Sequence, residues 1–235
     1  MILITTGTIY FSIDAFIFTM IWLICKQLEI LKTSLDMLSE NEQDNITNNG
    51  GFVLLSNYKE NSLHATSGSI ISREESKHTF ICQCVDYHSS ILESIQQLDL
   101  MIRSIILIDV LHAVISLSFA MFQAIISTSL NEWFQMFIFI GASTLHQFLN
   151  NVFGEMLIQQ QTSVAEAAYG INWTKGSKAL KTAVSLMIGQ ALRPIQLSGW
   201  KMYILGLITF VEVIKLLVSY FLVLYSLHTT SGVQP

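Results

Sequence analysis

The chain has 235 residues, 51% of them hydrophobic and only 12% charged, with a mean hydropathy of +0.52. Soluble domains carry roughly a quarter charged residues, so the composition speaks against an ordinary soluble enzyme and against disorder. A formal net charge of −5 excludes a basic nucleic-acid footprint, and three cysteines (Cys25, Cys82, Cys84) are too few for a disulfide scaffold and read as reduced thiols.

In chain order, four stretches have the roughly 20 mostly apolar residues that cross a bilayer core. Residues 2–25 carry one charge, Asp14. They lack a positive leader and a clear cleavage site, so they read as a span and not as a signal peptide. From Lys26 to about Ser39 the same helix is expected to continue, with Leu28, Leu31, Leu35 and Leu38 at helical spacing. Residues 40–77, rich in Asn, Ser, Glu and Gly, read as a mobile connection. Helix returns over residues 80–103, with Ile91, Leu92, Ile95, Leu98 and Ile102 on one face. It leads into the second span, residues 105–127, which holds Asp109 and His112. A short turn at residues 130–132 precedes the third span, residues 133–157, which carries His146, Gln147, Asn150 and Asn151.

The second long loop, residues 158–203, has an Ala-rich stretch at 163–169 suited to close helix packing. Leu180, Ala183, Val184, Met187, Ile188 and Ala191 then form an apolar stripe that Pro194 brings to an end. Such a stripe beside a membrane meets neighbouring helices, another subunit or the lipid surface. The fourth span, residues 204–227, carries Glu212 and Lys215, and residues 228–235 form a tail. The fold class is therefore all-α: a polytopic membrane protein, one membrane domain with four transmembrane helices and helical extensions.

Basic residues set the orientation. Of the twelve Lys and Arg, six (Lys26, Lys32, Lys59, Arg73, Lys77, Arg103) lie in the first loop and five (Lys175, Lys178, Lys181, Arg193, Lys201) in the second. The positive-inside rule puts loops 26–104 and 158–203 in the cytoplasm and both termini outside. An outside N-terminus fits either a full-length chain or one lacking an odd number of upstream spans. Asn45-Ile46-Thr47 and Asn172-Trp173-Thr174 match glycosylation acceptors, but on this topology both face the cytoplasm and stay unmodified.

Few residues point to chemistry. His78, Cys82, Cys84 and His88 have metal-ligating side chains, yet on a helix Cys84 points away from the face that His78 and Cys82 share. The spacing fits no zinc finger, so no metal or other cofactor is expected. Asp14, Asp109 and His112 lie inside spans, where ionisable groups mark either function or a structural hydrogen bond between helices. No nucleophile–base arrangement and no phosphate-binding glycine loop occurs, so the chain is not read as an enzyme.

The last span is the most informative. Ile208, Glu212, Lys215, Ser219, Leu222 and Ser226 share an arc of about 80° on a helical wheel. Val223 borders this arc, and Leu227 lies one turn beyond Val223. A polar stripe in lipid is costly unless it meets protein or water. It either lines a pore shared by several subunits, with apolar neighbours as a constriction, or is buried against helices of the same subunit.

Several segments resemble insect odorant receptors. Gly154-Glu155-Met156-Leu157, Ser163-Val164-Ala165-Glu166-Ala167-Ala168-Tyr169 and Asn172-Trp173 are similar to the segment after the family's sixth helix. Residues 191–199, Ala-Leu-Arg-Pro-Ile-Gln-Leu-Ser-Gly, resemble the lead-in to its seventh helix. Phe210 and Ser219-Tyr220-Phe221-Leu222-Val223-Leu224 resemble that helix itself, and Cys84-Val85-Asp86-Tyr87-His88 the helix leading into the fifth span. Ser226-Leu227 stands where the related gustatory branch has a Gln-Phe pair, which favours the odorant branch.

The resemblance implies that the four spans correspond to the fourth to seventh of a seven-helix bundle. It implies a subunit of a ligand-gated, non-selective cation channel, a heterotetramer with a shared co-receptor, in the membrane of sensory-neuron dendrites. A gustatory-type channel, or a membrane scaffold or transporter component, is the alternative. Carried over by position, Val223 and Leu227 match the hydrophobic gate with Ser226 beside it. Ser219 and Leu222 lie along the same pore face, and Glu212 and Lys215 deeper along the path, paired at i, i+3. The family's pocket for small apolar volatiles implies Tyr10, Phe11, Phe119, Phe122, Phe134 and Phe137 as candidates from the outer half of the bundle. The inter-subunit anchor falls on Leu180, Val184, Met187 and Ile188.

Overall fold

The computed structural model describes residues 2–43, 69–127, 129–171, 173 and 177–231. It contains five α-helices: α1 (Ile2–Gln43), α2 (Ser69–Ile126), α3 (Leu130–Gly170), α4 (Lys178–Ala191) and α5 (Leu207–Ser231). A two-residue hairpin, β1 (Ser198–Gly199) and β2 (Tyr203–Ile204), precedes α5. At 1.5 Å per residue, the 58 residues of α2 span about 87 Å, and α1 and α3 each exceed about 60 Å. All three are longer than a hydrocarbon core of about 30 Å. Among the described residues, two helical stretches are long and apolar enough to cross a membrane, Thr79–Ile126 and Leu207–Leu227.

The helices run further than periodicity alone indicates. Residues 69–79 join α2 although the sequence SIISREESKHT has no sustained apolar stripe. Residues 130–132 are the first turn of α3 and not a connection: Ser129 Oγ accepts the Glu132 amide at 3.4 Å, and Ser127 Oγ donates to the Glu132 carboxylate at 2.6 Å. The Ala-rich stretch at 163–169 continues α3 without a break. Most of the connection expected at 40–77, and Asn45 and Asn172, lie outside the described residues.

The chain divides into two compact units. One comprises Trp22–Gln97 and Leu157–Ile195. Its core is the leucine stripe of α1 (Leu28, Leu31, Leu35, Leu38) with Ile91 and Ile95 of α2, Leu157 and Val164 of α3, and Leu180, Val184 and Met187 of α4, all buried. The fully buried Gln161 clamps the segment after Pro194: its amide nitrogen donates to the Ile195 carbonyl at 2.9 Å, and its oxygen accepts the Ile195 amide at 2.8 Å. Ser177 caps α4 by accepting the Leu180 amide at 3.2 Å.

His88 is wholly buried in this unit, where among the described residues neither ring nitrogen makes a hydrogen bond of good geometry and the Gln190 side chain lies alongside. Burial pulls its pKa below the ordinary value. Burial likewise pushes the Cys84 thiol up to about 12. Cys84 and His88 are buried and Cys82 is half-buried; the side chain of His78 lies outside the described residues. Among the described residues no three His, Cys, Asp or Glu side chains come together to hold a metal.

The other unit comprises Met1–Ile21, Leu98–Met156 and Gln196–Pro235. Here α1 meets α3 through stacked Phe18 and Phe153 rings, 4.4 Å between centroids, and through Asp14 Oδ2, 2.8 Å from His146 Nε2. Asp109 of α2 is buried and accepts two amide donors of α3 on one oxygen, Gln147 at 2.8 Å and Asn150 at 3.0 Å. His112 contacts Ser116 one turn along its own helix, at 3.3 Å. Asp14 and Asp109 thus bind polar side chains of α3, which satisfies carboxylates that would be costly to leave unpaired away from water.

A polar helix face and the junction that anchors it

In α5 the buried and polar residues segregate by helical phase. Phe210, Val213, Ile214, Leu217, Phe221 and Leu224 are buried or half-buried. They fall within an arc of about 100°, centred about 170° from the centre of the polar arc. Phe148 of α3 packs edge-on against Phe210 at 5.7 Å. A cavity of about 20 Å³, room for a single water, lies between this face and α2 and α3. Thr144, Gln147 and Tyr203 give its wall a polar side.

The opposite face is open. Ile208, Glu212, Lys215, Ser219, Leu222 and Ser226 are all exposed, as are Val223 (56%) and Leu227 (62%). The polar arc is therefore not buried against other helices of this chain among the described residues. Glu212 and Lys215 stand three residues apart and both are exposed, a setting in which an ion pair gains little. Leu217 is the one described side chain of α5 that is fully buried.

The start of α5 is held much more firmly. Its first donors have no local capping side chain, because Ile204, Leu205 and Gly206 precede it. Helix α3 supplies the acceptors. Asn151 Oδ1 accepts the Tyr203 hydroxyl at 2.9 Å and the Gly206 amide at 3.1 Å, and Glu155 Oε2 accepts the Leu207 amide at 3.4 Å. Gly154 is required between them: a Cβ there would sit 2.6 Å from the Leu205 carbonyl oxygen.

The hairpin is tied to α2 in the same way. Asp99 Oδ1 accepts the Ser198 amide at 2.8 Å, and a Cβ on Gly199 would come within 3.1 Å of the Leu107 nitrogen. Trp200 and Lys201 turn the hairpin with φ of 53° and 61°, a left-handed conformation unfavourable for side-chain-bearing residues. The Trp200 indole is held by a hydrogen bond to Ser104 at 3.2 Å and by the Arg103 guanidinium 5.2 Å above its ring. None of these partners is legible from spacing, since they lie about 50 to 100 residues apart; the only signals were polar side chains inside an apolar span and the Gly154-Glu155 pair.

The remaining candidates are distributed differently. Phe119 and Phe122 on α2 and Phe134 and Phe137 on α3 are exposed (68%, 45%, 67% and 72%) and line neither cavity described here. Tyr10 and Phe11 belong to α1, but their side chains are outside the described residues. An open apolar groove of about 420 Å³ lies instead between α1 and α2, lined by Ser12, Ile13, Phe16, Ile17, Met101 and Ile105 with Ile102. Leu180, Val184 and Met187 are buried within their own unit and Ile188 is half-buried. Lys178, Thr182, Ser185, Leu186 and Gly189 are exposed on the other side of α4.

The sequence profile of the 7tm odorant receptor family matches residues 1–218. Among curated relatives, the odorant receptor coreceptor of Drosophila melanogaster is 28% identical over 144 residues, 61% of this chain and 30% of the relative. That of Aedes aegypti is 27% identical over 175 residues, 74% of this chain and 37% of the relative. Odorant receptor 67c of Drosophila melanogaster is 24% identical over 152 residues, 65% of this chain and 37% of the relative. The chain spans roughly a third of the length of these relatives.

Proposed function

Because the chain belongs to the insect odorant receptor family, we propose that it forms the pore-bearing part of an odorant-gated, non-selective cation channel subunit. The observation that carries this reading is the exposed polar face of α5, opposite the face that packs on α2 and α3. A hydrophilic stripe on an otherwise apolar, membrane-length helix requires water or further protein beside it. Copies of α5 around a shared axis meet that requirement, with Val223 and Leu227 as the hydrophobic constriction, Ser226 beside them, and Ser219, Leu222, Glu212 and Lys215 along the path.

The assembly we propose is a heterotetramer with a coreceptor subunit in the cell membrane, at the dendrite of a sensory neuron. The chain would cross the bilayer four times, through residues 2–25, 105–127, 133–157 and 204–227. The unit boundaries after Ile21, Gln97, Met156 and Ile195 support that division, since each falls within about ten residues of a cytoplasmic span end. Small apolar volatiles are the ligand class, with the aromatic candidates of α1, α2 and α3 contributing part of the pocket wall. The exposed side of α4 is available to the inter-subunit anchor.

The test is to express the gene product containing this segment with a coreceptor and record odour-evoked cation current. Val223→Trp and Leu227→Trp are expected to reduce unitary conductance while leaving surface expression intact, because both positions are exposed. Unaltered conductance in both variants would remove α5 from the ion path.

A further inference from the structure

We infer that Asn151 is a positioning residue for the last helix: it pins the first turn of α5 to α3, and through this junction a displacement of α3 reaches the polar face of α5. The inference rests on the channel reading for its consequence, but its structural part stands apart from it.

Three observations lead there. Gly206 is the N-cap of α5, since its carbonyl accepts the Phe210 amide at 3.1 Å. Its own amide, and the hydroxyl of Tyr203 in β2, both end on the single oxygen Asn151 Oδ1. Asn151 is fully buried, and its nitrogen donates to the Gln147 carbonyl at 2.8 Å, so the side chain cannot swing without breaking three bonds. Gln147 in turn holds Asp109 of α2 at 2.8 Å. Asn151 meets the main-chain carbonyl of Gln147 and Asp109 its side-chain nitrogen, so contacts run from α2 through Gln147 and Asn151 of α3 to the start of α5, in a buried setting.

The rest of α5 is lightly held. Beyond Gly206 its only fully buried described side chain is Leu217, and one face is open along its length. A helix fixed at one end and loosely packed elsewhere follows the motion of its fixed end. Asn151 occupies the point where that motion would enter.

Tyr203→Phe removes one hydroxyl and keeps the ring; Asn151→Ala removes both acceptor bonds. Each variant, and the pair combined, is made in the gene product containing this segment and expressed with a coreceptor. Two readouts are taken: hydrogen exchange at the Gly206 amide, and odour-free current as a fraction of the maximal odour-evoked current. Loss of one neutral hydrogen bond corresponds to about a fivefold change in an equilibrium. We expect at least that acceleration of exchange in Asn151→Ala, and about a fivefold change in the odour-free fraction for Tyr203→Phe. The combined variant should match Asn151→Ala alone, because both hydrogen bonds share one acceptor. If Asn151→Ala does not reach the surface, Tyr203→Phe carries the test. Unchanged exchange, or changed exchange with an unchanged odour-free fraction, overturns the inference. A wild type that carries no current while exchange responds overturns the channel reading and leaves the junction in place.

Discussion

Gly154→Ala is a single methyl added where two backbones touch. The new carbon would lie 2.6 Å from the Leu205 carbonyl oxygen, 2.8 Å from its Cβ and 2.9 Å from its carbonyl carbon. Restoring ordinary contact near 3.4 Å requires α3 and the residue before α5 to part by about 0.8 Å. Neither side is a flexible side-chain tip, so the strain cannot be shed locally. The same separation would stretch the Asn151 bonds to Tyr203 and Gly206, now 2.9 and 3.1 Å, past useful length. Overpacking of about 1–3 kcal/mol and one or two hydrogen bonds of about 1 kcal/mol each together give a loss of about 3 kcal/mol. Gly141, on the same helix, has nothing within 4 Å of its would-be Cβ, so Gly141→Ala should gain up to about 1 kcal/mol from helix propensity alone. Thermal unfolding of the detergent-solubilised protein compares the two. At about 2–4 °C per kcal/mol for a chain of this size, Gly154→Ala should melt near 10 °C lower and Gly141→Ala slightly higher. Equal melting of Gly154→Ala and wild type would refute the argument that backbone contact at Leu205 fixes α5.

Three further outcomes follow from the other unit. His88 is buried neutral with its pKa depressed, so the unfolded chain binds its proton more readily; stability is full above the ordinary value of 6.5 and declines as pH falls below it. His88→Leu should flatten the melting temperature between pH 7 and pH 5 relative to wild type, and a parallel decline in both would refute this. Cys84, pushed up to about 12 and buried, should resist maleimide at pH 7.5 until the protein is unfolded, measured by mass spectrometry. Met187→Ala should cost about 2–5 kcal/mol by opening a cavity under α4, read as a fall in melting temperature, whereas Leu186→Ala at the exposed side should change it little.

Where local pattern controls structure, the sequence was informative. Leu28, Leu31, Leu35 and Leu38 are buried at the spacing that predicts it. The stripe of α4 buries Leu180, Val184, Met187 and Ala191, and the helix stops before Pro194. The two faces of α5 separate as the wheel indicates, because a 3.6-residue period needs no knowledge of partners. Polar groups inside the spans were visible, but not their pairing: Asn151 finds Tyr203 across 52 positions, and Asp14 finds His146 across 132. The hairpin at 198–204 was hidden because its turn uses Trp200 and Lys201 at positive φ, where Gly or Asn would have signalled it. Exposure of Phe119, Phe122, Phe134 and Phe137 could not be read either, since an aromatic residue in an apolar helix looks the same toward lipid, core or ligand.

The borrowed cap of α5 also has a bearing on biogenesis. Gly206 and Leu207 take their acceptors from residues made about 50 codons earlier. When α5 leaves the ribosome, Asn151 and Glu155 have already been synthesised, and the new helix completes its opening turn on a neighbour already made. A mutation that delays the folding of α3 would therefore leave the first amides of α5 without acceptors while the chain is still being made.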